Sequence, residues 1–284
     1  MAELWDDLIS CLDLGEVADD GTASDSTASD GTASGHTAFE GKNLPLEYHR
    51  LFGGQLLAQF AVAATLACPG KTVKSLHAQF PREGTADEPV RYEAAKHSDG
   101  RSFASLTILA RQSKGVIATA SVALHAHEDG RALQSVAPVR EVPADSELVE
   151  IGMLPFETRT AVDLDARGAA APEYSLWWRT PATAAEHAPA LAAYATDLTL
   201  IGTALRAVDG VSQSDAQRAF TSAVTSHTIW FHRPFRTDAW LLLRQHGPIL
   251  AHGRSFGRGD ILTADGTLVA SYAQEALVRF KPQP

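Results

Sequence analysis

The sequence predicts an α+β protein made of two copies of one unit, each an antiparallel sheet wrapped around a single buried helix. Three observations carry this. An order of helix followed by strands occurs twice along the 284 residues. Landmarks recur in register: Gly100-Arg-Ser-Phe103 returns as Gly253-Arg-Ser-Phe256 at an offset of 153, Ser75 to Phe80 matches Ser226 to Phe231 at 151, and Ala120-Ser121 matches Ala270-Ser271 at 150. Finally, Gln55 to Cys68 is apolar around the whole helical circumference apart from Gln55, Gln59 and Thr65, a pattern that needs enclosure on every side.

Residues 1–51 are expected to hold an N-terminal helix and a low-complexity loop. Leu4, Trp5, Leu8, Ile9 and Leu12 fall at helical spacing and Gly15 sits where a left-handed cap belongs. Asp20 to Ala38 repeats a pentapeptide of small polar residues that leaves chain entropy unopposed, so it reads as a mobile loop. The first unit, 52–127, opens with Gly53-Gly54 and the buried helix, which Pro69-Gly70 ends. Strands follow at Val73–Phe80, Val90–Ala95, Phe103–Gln112 and Val116–Ala126, linked by Ser98-Asp-Gly-Arg and Ser113-Lys-Gly turns. Residues 128–155 turn polar and carry Pro138, Pro143 and Pro155, which marks a linker. The second unit, 156–284, has a helical stretch near Asp197 to Ala207 and strands near Ala223–Phe235, Trp240–Gln245, Ile249–Phe256, Asp260–Leu262 and Leu268–Phe280. Two exposed sheet edges invite the copies to pair side by side, which is a double hotdog.

Charge and composition exclude several classes. With 24 basic and 34 acidic residues the net charge is −10, which repels nucleic acid at long range. Two cysteines, Cys11 and Cys68, offer no disulfide framework and suit a reducing cytosol, so a cytoplasmic location is expected. The longest nearly apolar run, Leu56 to Cys68, has 13 residues against the roughly 20 of a membrane span, and the acidic N-terminus does not read as a signal peptide. No phosphate loop or dinucleotide fingerprint occurs, and His125 with His127, or His227 with His232, lacks further ligands, so neither cofactor nor metal is expected.

Two local patterns suggest chemistry. Gly253-Arg-Ser255-Phe-Gly257 fits the nucleophile elbow, but strand character follows it and no histidine lies downstream of Ser255. Its repetition in the first copy marks a strand start instead. Ala195-Thr196-Asp197-Leu198 opens the second helical stretch: Thr196 is the expected N-cap, and Asp197 falls in the first turn, where the helix dipole favours a carboxylate able to hold or deprotonate a water. Gln55 holds the matching place in the first copy, which predicts one active site per chain.

Five segments together resemble the TesB-like acyl-CoA thioesterase II family of double hotdog enzymes: Leu51-Phe-Gly-Gly-Gln-Leu56, Asp99-Gly-Arg-Ser-Phe103, Tyr194-Ala-Thr-Asp-Leu198, His227-Thr-Ile-Trp-Phe-His-Arg-Pro-Phe235 and Ala273-Gln-Glu-Ala276. The resemblance spans about Leu51 to Phe280. It implies hydrolysis of acyl-CoA to free acid and CoA without a cofactor, by a water that an aspartate, a glutamine and a hydroxyl residue position. It also implies assembly into homodimers or larger. The aspartate falls on Asp197 and the glutamine on Gln274, but the hydroxyl falls on Val224. Ser226 is then the nearest residue on the same strand face, while Thr225 would need a bulge. Val224 keeps open a second reading, a non-catalytic or weakly active acyl-thioester binding module. A hotdog hydratase or dehydratase ranks lower, because the histidine expected five residues after Asp197 is Gly202.

Overall fold

The computed structural model describes residues 2–18, 36–46, 50–144 and 148–282. The first half contains α1 (Ala2–Cys11), β1 (Gly15–Val17), β2 (His36–Gly41), α2 (Gly53–Ala67), β3 (Thr72–Gln79), β4 (Val90–Asp99), β5 (Phe103–Gln112) and β6 (Gly115–His125). The second contains β7 (Glu157–Arg159), β8 (Glu173–Arg179), α3 (Ala188–Ala195), α4 (Leu200–Leu205), β9 (Phe220–Phe231), β10 (Leu241–Ala251), β11 (Arg254–Thr263) and β12 (Leu268–Phe280).

Strands alternate in burial, so one face of each turns inward. Ala104, Leu106, Ile108 and Ala110 of β5 point to the core while their neighbours are half-buried or exposed. The twelve strands form one antiparallel sheet in the order β1-β2-β4-β5-β6-β3-β9-β12-β11-β10-β8-β7. Its two halves are the predicted pair of sheets, joined at the middle by β3 and β9 from Ser75↔Trp230 to Gln79↔Ser226. Each half therefore covers the other's open edge, and the double hotdog is a single continuous wrap. Helix α2 lies inside the first half and packs against α3 of the second. Both are rich in alanine, which lets them approach: a Cβ on Gly54 would fall 2.6 Å from the carbonyl oxygen of Tyr194. One hydrophobic cluster runs through both halves, from Leu8 of α1 to Tyr272 of β12.

The segment between the halves does not hang free. Val136, Val139 and Val142 pack on Trp177, Leu242 and Leu262, strapping the outer face of the second half.

Several sequence expectations need correction. Residues 20–35 of the pentapeptide segment lie outside the described residues, and its end, His36 to Ala38, belongs to β2 and pairs with β4. Ile249–Phe256 is not one strand: His252 and Gly253 have φ of 53° and 73°, the left-handed pair of a tight hairpin, so the chain reverses between β10 and β11. The stretch Asp197–Ala207 is not one helix either, since α3 ends at Ala195 and α4 starts at Leu200. Among the described residues, the track Ala185–Leu205 is long and apolar enough to cross a membrane, and 83% of its apolar window is buried inside the fold.

Candidate active site

Asp197 sits in the break between α3 and α4. Thr196 is not the N-cap of a following helix but the C-cap of the preceding one. Its φ and ψ are −77° and −11°, its N–H donates to Ala192 O, and its hydroxyl donates to Ala193 O at 2.9 Å. The dipole that reaches Asp197 is that of α2, from the other copy. The Gly54 backbone N–H donates to the Asp197 carboxyl, and a Cβ on Gly53 would fall 2.8 Å from Oδ2. Gly53-Gly54 is thus a requirement of close approach: the pair lets a carboxylate of the second half dock on the helix start of the first.

The carboxyl is 6% exposed, and Oδ1 has no protein hydrogen-bond partner. Burial raises its pKa from 3.8 to about 7, against the opposing pull of the Gly54 N–H and the Arg50 guanidinium. The helix end favours the carboxylate, as expected, but desolvation of the buried charge pulls the other way and outweighs it. The result suits a general base working near neutral pH.

Asp197 opens onto a cavity of about 440 Å³. Leu56, Met153, Leu198, Ile201, Phe220 and Val224 give it apolar walls. A larger trough of about 1040 Å³ lies on the outer face beside the strap, and its one aspartate, Asp260, is paired with Arg244 at 3.4 Å. The buried, proton-hungry carboxyl therefore marks the smaller cavity as the place for acid–base chemistry.

Strand β9 carries the position of the missing hydroxyl. Its register against β12 steps from Ser226↔Glu275 to Val224↔Ala276, which leaves Thr225 as the extra residue of a bulge. That bulge cancels the face sharing assumed for 224 and 226. Val224 lines the cavity, whereas Ser226 pairs with Glu275 and Gln79 on the face opposite buried His227. Ser226 is thus removed from the site as a water-positioning residue. Thr225 does occupy a bulge, but its hydroxyl donates to Glu275 O at 3.0 Å.

Gln274 is buried on β12, opposite His227. Its Oε1 lies 3.2 Å from His227 Nδ1, and its Nε2 has no protein partner. His227 Nε2 in turn lies 3.0 Å from Thr196 Oγ1. Gln274 is not a wall of the cavity, but this buried chain ties it to the residue preceding Asp197. Thr196 and His227 escaped the sequence reading as site residues, although both stand inside the segments that carry the family resemblance. Burial lowers the His227 pKa to about 4, so the imidazole is neutral.

Competing chemistries find no footing here. The hydratase histidine is absent: its position is Gly202, where a Cβ would displace the Gln213 side chain. Ser255 lies within β11, paired with Ala276 and Leu250, and not on a strand-to-helix elbow. Cys11 and Cys68 are free and buried, and burial pushes the Cys11 thiol up to about 12, far from a reactive thiolate. Among the described residues, no three His, Cys, Asp or Glu side chains are grouped to hold a metal ion.

Fold and site together define a double hotdog protein with a buried carboxyl where its two halves meet. Comparison with known proteins narrows the class. Residues 45–125 match the family model described as acyl-CoA thioesterase N-terminal domain, and 128–278 match the acyl-CoA thioesterase C-terminal domain. The chain belongs to the TesB-like acyl-CoA thioesterase II family. Acyl-CoA thioesterase 2 of Haemophilus influenzae is 29% identical over 267 residues, covering 85% of this chain and 92% of that protein. Acyl-coenzyme A thioesterase 8 of Mus musculus is 28% identical and covers 82% of each. Among solved structures, the acyl-CoA thioesterase II TesB2 from Mycobacterium marinum has 27% identity and a TM-score of 0.76, covering 98% of this chain and 99% of that one.

Proposed function

We propose that this protein hydrolyses acyl-CoA thioesters to free acid and CoA by direct attack of water, with Asp197 as general base. The observation that carries the reading is Asp197 itself: buried, docked on the start of α2, with Oδ1 unpartnered beside an apolar cavity. Family membership supports the acyl-CoA substrate class. The acyl chain lies along Leu56, Leu198, Ile201 and Phe220, and Gln274, tied through His227 to the residue before Asp197 and with one amide atom unpartnered, helps hold the water.

The chemistry closes without a cofactor or covalent intermediate. Asp197 accepts a proton from the water as its oxygen bonds to the thioester carbon. The positive end of α2 stabilises the carbonyl oxygen as charge builds there, the Gly54 N–H itself being held by Asp197. The carbon–sulfur bond then breaks, and the proton held by Asp197 passes to the departing CoA sulfur.

The second reading, a binding module with weak or no turnover, rests only on Val224, which supplies no hydroxyl to the water, and the family match does not favour it. Thiol release from purified protein across acyl-CoAs of different chain length separates the two. Hydrolysis predicts release at a saturable rate, and saturable binding without release supports the module. We also propose assembly into dimers or larger through the outer sheet face, where Phe103, Trp230 and Phe256 are exposed. Light scattering at a single chain mass would contradict it.

A further inference from the structure

The buried contacts around Gln274 constrain where each proton sits. Thr196 Oγ1 lies 2.9 Å from Ala193 O and 3.0 Å from His227 Nε2, and a hydroxyl has one hydrogen to give. Ala193 O belongs to the last turn of α3, where carbonyls lack amide donors from a following turn, and the Thr196 hydroxyl is the donor the structure gives it. With that hydrogen committed, Thr196 can only accept from His227, so Nε2 carries the imidazole proton.

A neutral imidazole has one proton, which leaves Nδ1 bare and able only to accept. Burial keeps His227 neutral, as its lowered pKa of about 4 requires. The group facing a bare Nδ1 must be a donor, hence the Gln274 NH2. A half-turn about the last side-chain bond of Gln274 exchanges Oε1 for Nε2 within the same volume and puts it there.

We infer that Thr196 and His227 are positioning residues that turn the Gln274 amide so that its carbonyl oxygen, and not its NH2, is offered to the attacking water. The consequence is chemical. A water whose two hydrogens point at two acceptors, Asp197 Oδ1 and Gln274 Oε1, keeps a lone pair free for the thioester carbon. A water facing the NH2 would spend one of its two lone pairs as a hydrogen-bond acceptor and leave one hydrogen unheld, and so be a poorer and less oriented nucleophile. The Thr196–His227–Gln274 chain also suggests how turnover survives Val224: two acceptors orient both hydrogens without the family hydroxyl.

This inference rests on the hydrolytic reading of Asp197 and Gln274. The test is thiol release by Thr196→Val, Thr196→Ser, Gln274→Ala and the double variant Thr196→Val/Gln274→Ala. Loss of an orienting partner behind a reacting group typically costs about tenfold to a hundredfold. We expect Thr196→Val to lower kcat by that factor with KM within about twofold, Thr196→Ser to restore it, and Thr196→Val to cost less than about twofold once Gln274 is alanine. Equal factors in both backgrounds, or an effect confined to KM, would overturn the positioning role. Full turnover by Gln274→Ala would overturn the role of Gln274 as well, whereas a defective Gln274→Ala beside a fully active Thr196→Val would remove the positioning role alone. Nitrogen-15 NMR of histidine-labelled protein reads the tautomer without any variant. Protonated Nε2 and bare Nδ1 on His227 are expected, and an Nδ1–H would sink the inference.

Discussion

Replacing Asp197 by asparagine should make the protein more stable in alkali while removing its activity. The carboxyl has its pKa raised from 3.8 to about 7, chiefly by burial, and is 6% exposed, so solvent screening is slight. A group with a raised acid pKa binds its proton more tightly in the folded state. Stability from it is therefore full below the unfolded pKa of 3.8 and is lost as pH rises through about 7. About three pH units at 1.36 kcal/mol each amount to about 4 kcal/mol withheld from the wild type at pH 9. Asparagine keeps an oxygen for the Gly54 N–H and carries no charge, so it escapes that loss. For a chain of this size the gain corresponds to a rise in melting temperature of roughly 8 °C at pH 9, shrinking towards nothing near pH 4. Thermal melts of both proteins between pH 4 and pH 9 check this. A gap of constant size across that range, or an asparagine variant less stable at pH 9, would refute the claim that an uncompensated buried charge sits at this site.

The same carboxyl should give kcat/KM a rising limb with an apparent pKa of about 7, read from thiol release across pH; a limb near 4 would contradict burial as the dominant influence. Val224→Thr, which returns a hydroxyl to the cavity wall, should raise kcat about tenfold, in line with one added transition-state hydrogen bond. Ser226→Ala should leave turnover within about twofold, since Ser226 faces away from His227. Gly53→Ala pushes a methyl to 2.8 Å from Asp197 Oδ2 and should cost activity more than stability, by comparison of kinetics with melts.

The repeat and the alternation of apolar residues made most of the sheet legible, because strand faces and offsets are written in the residue order itself. Strands β3 to β6 fall within a few residues of their expected limits, and Leu106, Ile108 and Ala110 show why: period-two burial leaves a period-two trace. Strand β8 carries the same trace in Tyr174, Leu176 and Trp178, but Trp177 between them is buried as well and blurs the alternation. Helix α3 left none. Its sequence Ala188-Pro-Ala-Leu-Ala-Ala-Tyr-Ala195 is buried on every side, so no polar face marks its period, and its true end at Ala195 stayed hidden. That single uncertainty turned Thr196 from a helix-ending residue into an expected N-cap. The bulge at Thr225 was equally invisible, since two-residue alternation says nothing of where a strand gains a residue, and it alone decides that Val224 and not Ser226 faces the cavity. Gly54 meets Asp197 only because the two copies fold face to face, and Thr196 meets His227 of β9 within the second copy, 31 residues on.

The most direct test of the account is the rate of CoA release by Asp197→Asn, measured at pH 8 with saturating acyl-CoA and folding verified by its melt. Loss of the general base predicts a fall in kcat of about a hundredfold or more, with acyl-CoA still bound at near wild-type affinity. Turnover within a few-fold of the wild type would show that the water is activated elsewhere and that Asp197 is not the base.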